Sequence, residues 1–148
     1  MEAKLAITVL LTFSILIATT AIHFESLRSL WRAIAKGGAN RRLKMIVALP
    51  AVIFVHLIEI GLYAGVYALA IGPLHLGHFA PLRPISGLDL VYYASETYSA
   101  LGYGDILPVG YLRLIVSVSP LNGLLLLAWS GSFLFLLIQD DFVDNFTP

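Results

Sequence analysis

The chain has 148 residues, 59% of them hydrophobic and only 12% charged, and a mean hydropathy of +0.88, whereas a soluble domain carries about a quarter charged residues. This composition excludes a water-soluble enzyme and points to a membrane protein. Lys and Arg number 9 against 9 Asp and Glu, with no Cys, so there is no overall basic field for nucleic acid, no disulfide framework and no thiol chemistry.

No charged side chain lies between Lys4 and Glu25, and at about 1.5 Å per residue that run covers the roughly 30 Å hydrocarbon core. Residues 1–24 are predicted to form an amino-terminal transmembrane helix. A cleaved signal peptide fits less well, because the run is long, Lys4 is offset by Glu2 and no clean small-residue cleavage site follows. Residues 25–44 read as a basic cytoplasmic loop. In it Leu27, Leu30, Trp31 and Ile34 recur at helical spacing, with Arg28, Arg32 and Lys36 mostly on other faces, ahead of Gly37-Gly38. That pattern predicts an interfacial helix, whose basic residues either attract anionic membrane lipids or act only as a topology signal.

Residues 45–72 form a second apolar run, broken only by His56 and Glu59, and residues 110–138 a third, uncharged from Leu114 to Ile138. An acidic tail with Asp140, Asp141 and Asp144 occupies 139–148. The loop between the first two spans holds Arg28, Arg32, Lys36, Arg41, Arg42 and Lys44, whereas the next loop has Arg83 alone before Arg113. The positive-inside rule then places the amino terminus outside the plasma membrane and the carboxyl terminus in the cytoplasm.

Between the second and third spans, Pro73 to Pro84 has the Pro, Gly and His content of an exposed loop, and residues 89–100 resume a helical pattern too short to cross. Asp89 suits the amino end of this helix. Gly102-Tyr103-Gly104-Asp105 follows at once and suggests a re-entrant hairpin. Alternate glycines allow successive carbonyls to face one axis, where carbonyl rings replace an ion's hydration shell. One chain supplies one strand of such a ring, so identical chains must meet, most economically as a cyclic homotetramer. The helix would aim its negative dipole end at a cation in the centre.

The stretch Tyr92-Tyr93-Ala94-Ser95-Glu96-Thr97-Tyr98-Ser99-Ala100-Leu101-Gly102-Tyr103-Gly104-Asp105, followed by Ile106-Leu107-Pro108, resembles the pore helix and selectivity filter of tetrameric potassium channels. The resemblance implies an all-α membrane protein with three transmembrane helices plus a re-entrant pore helix and selectivity filter. The first span lies outside the minimal two-helix pore. It further implies a potassium channel subunit, not an enzyme, with K+ as the permeant ligand and with no cofactor and no structural metal. Carried over by position, the carbonyls of Ala100, Leu101, Gly102 and Tyr103 line the ion sites and Gly104 closes the outer mouth. The filter of that family usually begins with threonine, where this chain has Ala100. Loss of that hydroxyl ring leaves a weakly selective monovalent cation channel as the alternative.

Glu96 and Asp105 are expected to approach and share a proton behind the filter, a pair that the resemblance links to filter inactivation; the other reading is that Glu96 bonds backbone amides or faces a water pocket. Tyr92 and Tyr93 read as a cuff around the filter or as belt aromatics, and Thr97 and Ser99 as donors to carbonyls within the pore helix. His56 and Glu59, three apart on one helical face, are a proton sensor, a metal site or a structural pair that packs inward. His75 and His78 make a weak case for a divalent cation. Pro120 and Gly123 fall where the resembled family carries its gating hinge. An intramembrane metalloenzyme using His56, Glu59, His75 and His78 lacks a nucleophile motif, and a non-conducting accessory subunit is the remaining reading.

Overall fold

The computed structural model describes residues 2–36, 41–81 and 84–146. Three long helices, α1 (Glu2–Lys36), α2 (Arg41–Ile71) and α4 (Leu112–Phe146), enclose a short one, α3 (Gly87–Tyr98), and two strands, β1 (Gly77–Ala80) and β2 (Leu107–Gly110), pair beside it. Spans Glu2–Ile34, Leu43–Ile71 and Leu112–Gln139 are each long and apolar enough to cross a membrane. The protein is therefore an all-α membrane protein to which a small ribbon has been added.

Each long helix buries one stripe and leaves another bare. On α4, Leu112, Ile115, Ser119, Asn122, Leu126, Ser130 and Phe133 are buried, while Leu121 and Leu125 are 64% and 71% exposed. Spacings of three and four are those of one helical face. On α1 the inward stripe is mixed: the polar Thr8, Thr12, Thr19 and His23 are buried together with Ile15, Leu27 and Ile34, and Leu10, Phe13 and Ile17 point outward. The threonine hydroxyls donate within their own helix, Thr12 to the Thr8 carbonyl and Thr19 to the Ile15 carbonyl, both at 2.8 Å. Small side chains whose polar groups are already satisfied let helices approach closely in a medium without water.

Two features depart from the pattern read along the chain. First, no separate interfacial helix follows the first span: α1 runs unbroken through the segment containing Leu27, Trp31 and Ile34 to Lys36. Leu27 and Ile34 are buried, Leu27 clusters with Val52 and Phe133, and the Trp31 ring meets Phe133 edge-on at 6.1 Å. The apolar stripe therefore packs on α2 and α4, leaving Arg28 and Arg32 exposed on the far side. Gly37-Gly38 and Arg83 lie outside the described residues, as do the side chains of Arg41, Arg42, Asp140, Asp141 and Asp144. Second, part of the outer loop forms the antiparallel ribbon, with Gly77 opposite Gly110 and Ala80 opposite Leu107. A side chain at Gly77 would sit 2.0 Å from the Val109 carbonyl oxygen, so only glycine permits this pairing.

The ribbon joins the exit of α2 to the entry of α4. Because α3 begins after β1 and the chain returns through β2, the intervening excursion leaves and re-enters at the same place. Its 12-residue helix, at about 1.5 Å per residue, is too short to cross, so α3 is re-entrant. Around it, Tyr63, Tyr67, Phe79, Tyr93 and Tyr98 form an aromatic core, tightest at Phe79–Tyr93 with ring centroids 4.7 Å apart.

Candidate functional site

The site is built from the two ends of α3. At its start Ser86 is the N-cap, with its hydroxyl accepting the Asp89 amide at 3.1 Å and the Asp89 carboxylate accepting the Ser86 amide at 2.8 Å. This reciprocal capping box fixes the first turn. Asp89 thus acts three residues into the helix, and the helix starts at Gly87 and not at Asp89.

At the other end the helix stops at Tyr98, two residues short of the boundary read from the sequence. The Ala100 amide donates to the Thr97 carbonyl at 3.0 Å and the Leu101 amide to the Glu96 carbonyl at 2.9 Å, with Ala100 at φ 58°. This paired closure around a left-handed residue is the Schellman motif, where glycine is the usual occupant. Left-handed backbone recurs at every second residue, with Gly102 at φ 57° and Gly104 at φ 79°.

Glu96 organises the strand that follows. Its carbonyl accepts the amides of Leu101 at 2.9 Å and Gly102 at 3.2 Å, and its carboxylate accepts the Tyr103 amide at 3.0 Å. Three successive N–H groups therefore point back at one residue. In a planar trans peptide the C=O lies opposite the N–H, so the carbonyls of Ala100, Leu101 and Gly102 are turned away from Glu96. Residues 100–105 are exposed, with Leu101 at 59% and Tyr103 at 66%.

The proton-sharing contact between Glu96 and Asp105 is not formed. Tyr103 takes the Glu96 carboxylate, and Asp105 accepts the Tyr92 hydroxyl at 3.3 Å. The strand leaves α3 with its amides inward, so the nearest donor to Glu96 is main chain, which the alternative reading of Glu96 had allowed. Burial, reinforced by the Asp105 charge and opposed by the Tyr103 amide, raises the Glu96 carboxyl above the ordinary range. Tyr92 and Tyr93 part company: Tyr93 is buried in the aromatic core, a place neither reading gave it, while Tyr92 is exposed and lies parallel to Tyr103 at 6.2 Å. Thr97 donates to the Tyr93 carbonyl and Ser99 to the Ser95 carbonyl, inside α3.

Behind the helix end is a buried polar cluster. Glu59 Oε1 lies 2.9 Å from His23 Nδ1, and Glu59 Oε2 lies 3.1 Å from His56 Nδ1 and accepts the Tyr98 hydroxyl at 2.5 Å. His23 Nε2 and His56 Nε2 both reach Ser130 Oγ, at 3.2 and 2.9 Å. Reading the sequence for function paired His56 with Glu59 but missed His23; its signal was an ionisable residue within an apolar run. The loop histidines are elsewhere. The Lys4 ammonium donates to the His75 carbonyl, which places that loop about 28 Å of helix from His23 at about 1.5 Å per residue. A site uniting His56 and Glu59 with His75 and His78 is therefore ruled out by distance.

Gly123 is a contact point. A Cβ there would lie 2.0 Å from the Tyr98 carbonyl oxygen, so the bare backbone of α4 accommodates the end of α3. The helix itself continues through Pro120 and Gly123 without interruption. One residue earlier, Asn122 donates to Thr19 Oγ1 at 2.7 Å and to the Tyr63 hydroxyl at 3.0 Å, which ties α4 to α1 and α2.

Residues 53–140, more than half of the chain and including α3, the strand after it and the whole of the third span, match a family model described as ion channel. No curated protein matches the chain, and no solved structure does.

Proposed function

Since the chain belongs to the ion channel family, it is a membrane protein of ion transport, and we propose that it is a subunit of a homotetrameric potassium channel. The observation that carries this reading is the arrangement at Glu96: three successive amides held inward by one residue turn the carbonyls of Ala100, Leu101 and Gly102 outward. Four copies of that edge around a symmetry axis make stacked rings of oxygens able to replace water around an alkali cation. The α3 dipole adds its negative end at the same place. The exposed Leu101 and Tyr103, together with Leu121, Leu124 and Leu125 on the bare stripe of α4, are surfaces for neighbouring subunits to cover. Leu10, Phe13 and Ile17 on α1 then meet lipid.

In this reading Ala100, Leu101, Gly102, Tyr103 and Gly104 form the filter, and Glu96, Asp105, Tyr92 and Thr97 support it. The amino terminus faces outward across the plasma membrane, and the basic end of α1 meets headgroups on the cytoplasmic side. Anionic lipids suit Arg32 better than Arg28, which pairs with Glu25 at 3.1 Å.

Ala100 favours a second reading, weak selectivity, because no hydroxyl is present to complete the innermost ring. Bi-ionic reversal potentials on purified protein in liposomes separate the two. A potential near the potassium equilibrium value supports the first, equal sodium and potassium permeability leaves only the second, and absence of flux refutes both. Chemical cross-linking in lipid that stops at dimers would refute the tetramer.

A further inference from the structure

We infer that His23, His56 and Glu59, with the Tyr98 hydroxyl, form a binding site for a divalent transition-metal cation of the zinc class at the base of α3. Sequence spacing offered two of these ligands, with a metal site as one of their readings, although the family resemblance implied no structural metal; the fold supplies the other two from α1 and α3. The inference is independent of which ion the channel conducts.

Donor geometry is the first argument. Ligand atoms of His23, His56 and Glu59 all lie within 4.8 Å of one another, and all three residues are buried. Both imidazoles face the same way: each Nδ1 is turned to the Glu59 carboxylate and each Nε2 to Ser130 Oγ. The Tyr98 oxygen is 2.9 Å from His56 Nδ1. Two nitrogens and two kinds of oxygen thus converge on one side, a set that suits zinc, which takes imidazole and carboxylate ligands at about 2.0–2.2 Å in a tetrahedron.

Proton counting is the second argument. A serine hydroxyl offers one proton and two lone pairs. With the protons of two neutral imidazoles on Nδ1, both Nε2 lone pairs compete for the single Ser130 proton. With both protons on Nε2, Ser130 accepts the two, but the Nδ1 lone pairs then face an ionised carboxylate. In the mixed arrangement with His56 protonated on Nε2, the single Tyr98 proton must serve both Glu59 Oε2 and His56 Nδ1. The reverse mixture leaves His23 Nδ1 as a bare lone pair against Glu59 Oε1. Every assignment with two neutral imidazoles and an ionised Glu59 is one positive centre short, a place that one added proton or a cation fills. A divalent cation between the Nδ1 atoms and the carboxylate supplies it, and it selects the tautomer in which both Nε2–H groups donate to the two Ser130 lone pairs. Metal-bound histidines are commonly held by such an outer hydrogen bond.

All four helices contribute: His23 from α1, His56 and Glu59 from α2, Tyr98 from α3 and the Ser130 brace from α4. A cation here pins the carboxyl end of α3 to the first span, which lies outside the matched residues 53–140.

The full chain, purified in detergent after treatment with a chelator, is titrated with Zn2+ alone and with Co2+ alone. Calorimetry and metal content after gel filtration report stoichiometry, and the visible spectrum of Co2+ reports tetrahedral geometry. One cation per chain is expected, with a tetrahedral cobalt spectrum. The substitutions His23→Gln and Glu59→Gln abolish it, Ser130→Ala weakens it about 10- to 100-fold, and His75→Gln with His78→Gln leaves it unchanged. Wild-type binding no tighter than in His23→Gln, or binding lost with the loop histidines instead, overturns the site. Absence of any metal uptake does so too and leaves an imidazolium as the missing positive centre. If the buried variants fail to fold, the cobalt spectrum of the wild type and the Ser130→Ala titration still decide.

Discussion

Replacing Gly123 by Ala separates two roles for this residue, a flexible joint or a place of close contact. The added methyl would lie 2.0 Å from the Tyr98 carbonyl oxygen, 2.8 Å from its carbonyl carbon and 3.0 Å from its ring, where ordinary contact begins near 3.4 Å. The obstruction is main chain at the end of α3, and Tyr98 is also anchored through its hydroxyl to Glu59, so neither side yields by rotating a side chain. Overpacking of this kind costs about 1–3 kcal/mol, while alanine in a helix interior recovers about 1 kcal/mol over glycine. The net expectation is a loss of roughly 0–2 kcal/mol, or up to about 30-fold in the folded-to-unfolded ratio, with the 2.0 Å approach placing it toward the upper end. Gly131→Ala is the matched control, because it lies on the same helix with nothing within 4 Å of its added methyl, and it should be neutral or stabilising. Thermal unfolding of both variants in one detergent, followed by gel filtration, measures the difference, and ion flux in liposomes should fall with stability in Gly123→Ala. If the two variants melt alike and Gly123→Ala alters flux alone, the residue is a joint and the contact argument is wrong.

At Ala100 the left-handed backbone at φ 58° costs an L-residue about 1–2 kcal/mol, so Ala100→Gly should raise the melting temperature and Ala100→Thr, being β-branched, should lower it; equal melting of the two would contradict the φ assignment. Glu96→Gln keeps an acceptor for the Tyr103 amide but removes the charge. Because burial, with Asp105 adding to it, raises the Glu96 carboxyl, the folded protein holds that proton more tightly than the unfolded chain. Stability should therefore be highest below the unfolded carboxylate value of about 4.3 and decline as pH rises through the raised one. Melting curves against pH should show this decline in the wild type and a flatter profile in Glu96→Gln; identical profiles would exclude Glu96 as the source. Asn122→Ala removes the donor shared by Thr19 and Tyr63, and leaving buried acceptors bare should cost about 1–3 kcal/mol. Limited proteolysis should then release α1 first, and unchanged protection would show that α1 is held elsewhere.

The three spans and the short segment between the last two were legible from the chain because hydropathy and length are properties of consecutive residues, and bilayer thickness converts them directly into crossing helices. Local glycine chemistry made a turn at Gly102-Tyr103-Gly104 equally readable. Partnership was not. Leu27, Trp31 and Ile34 present the same apolar stripe to a headgroup layer as to a neighbouring helix, and only the placement of Val52 and Phe133 beside them decided for packing. Glu96 had two acceptable partners until the strand after α3 turned its amides inward. His23 lies 36 residues from Glu59, and their meeting depends on the rotation and height of α1 against α2, which are set by contacts such as Asn122 bridging Thr19 and Tyr63. Which residues enter the membrane was decided by their own transfer energies, one stretch at a time; which polar groups meet inside it was decided by helix packing, because a side chain without water must take whatever partner the neighbouring helix brings within reach.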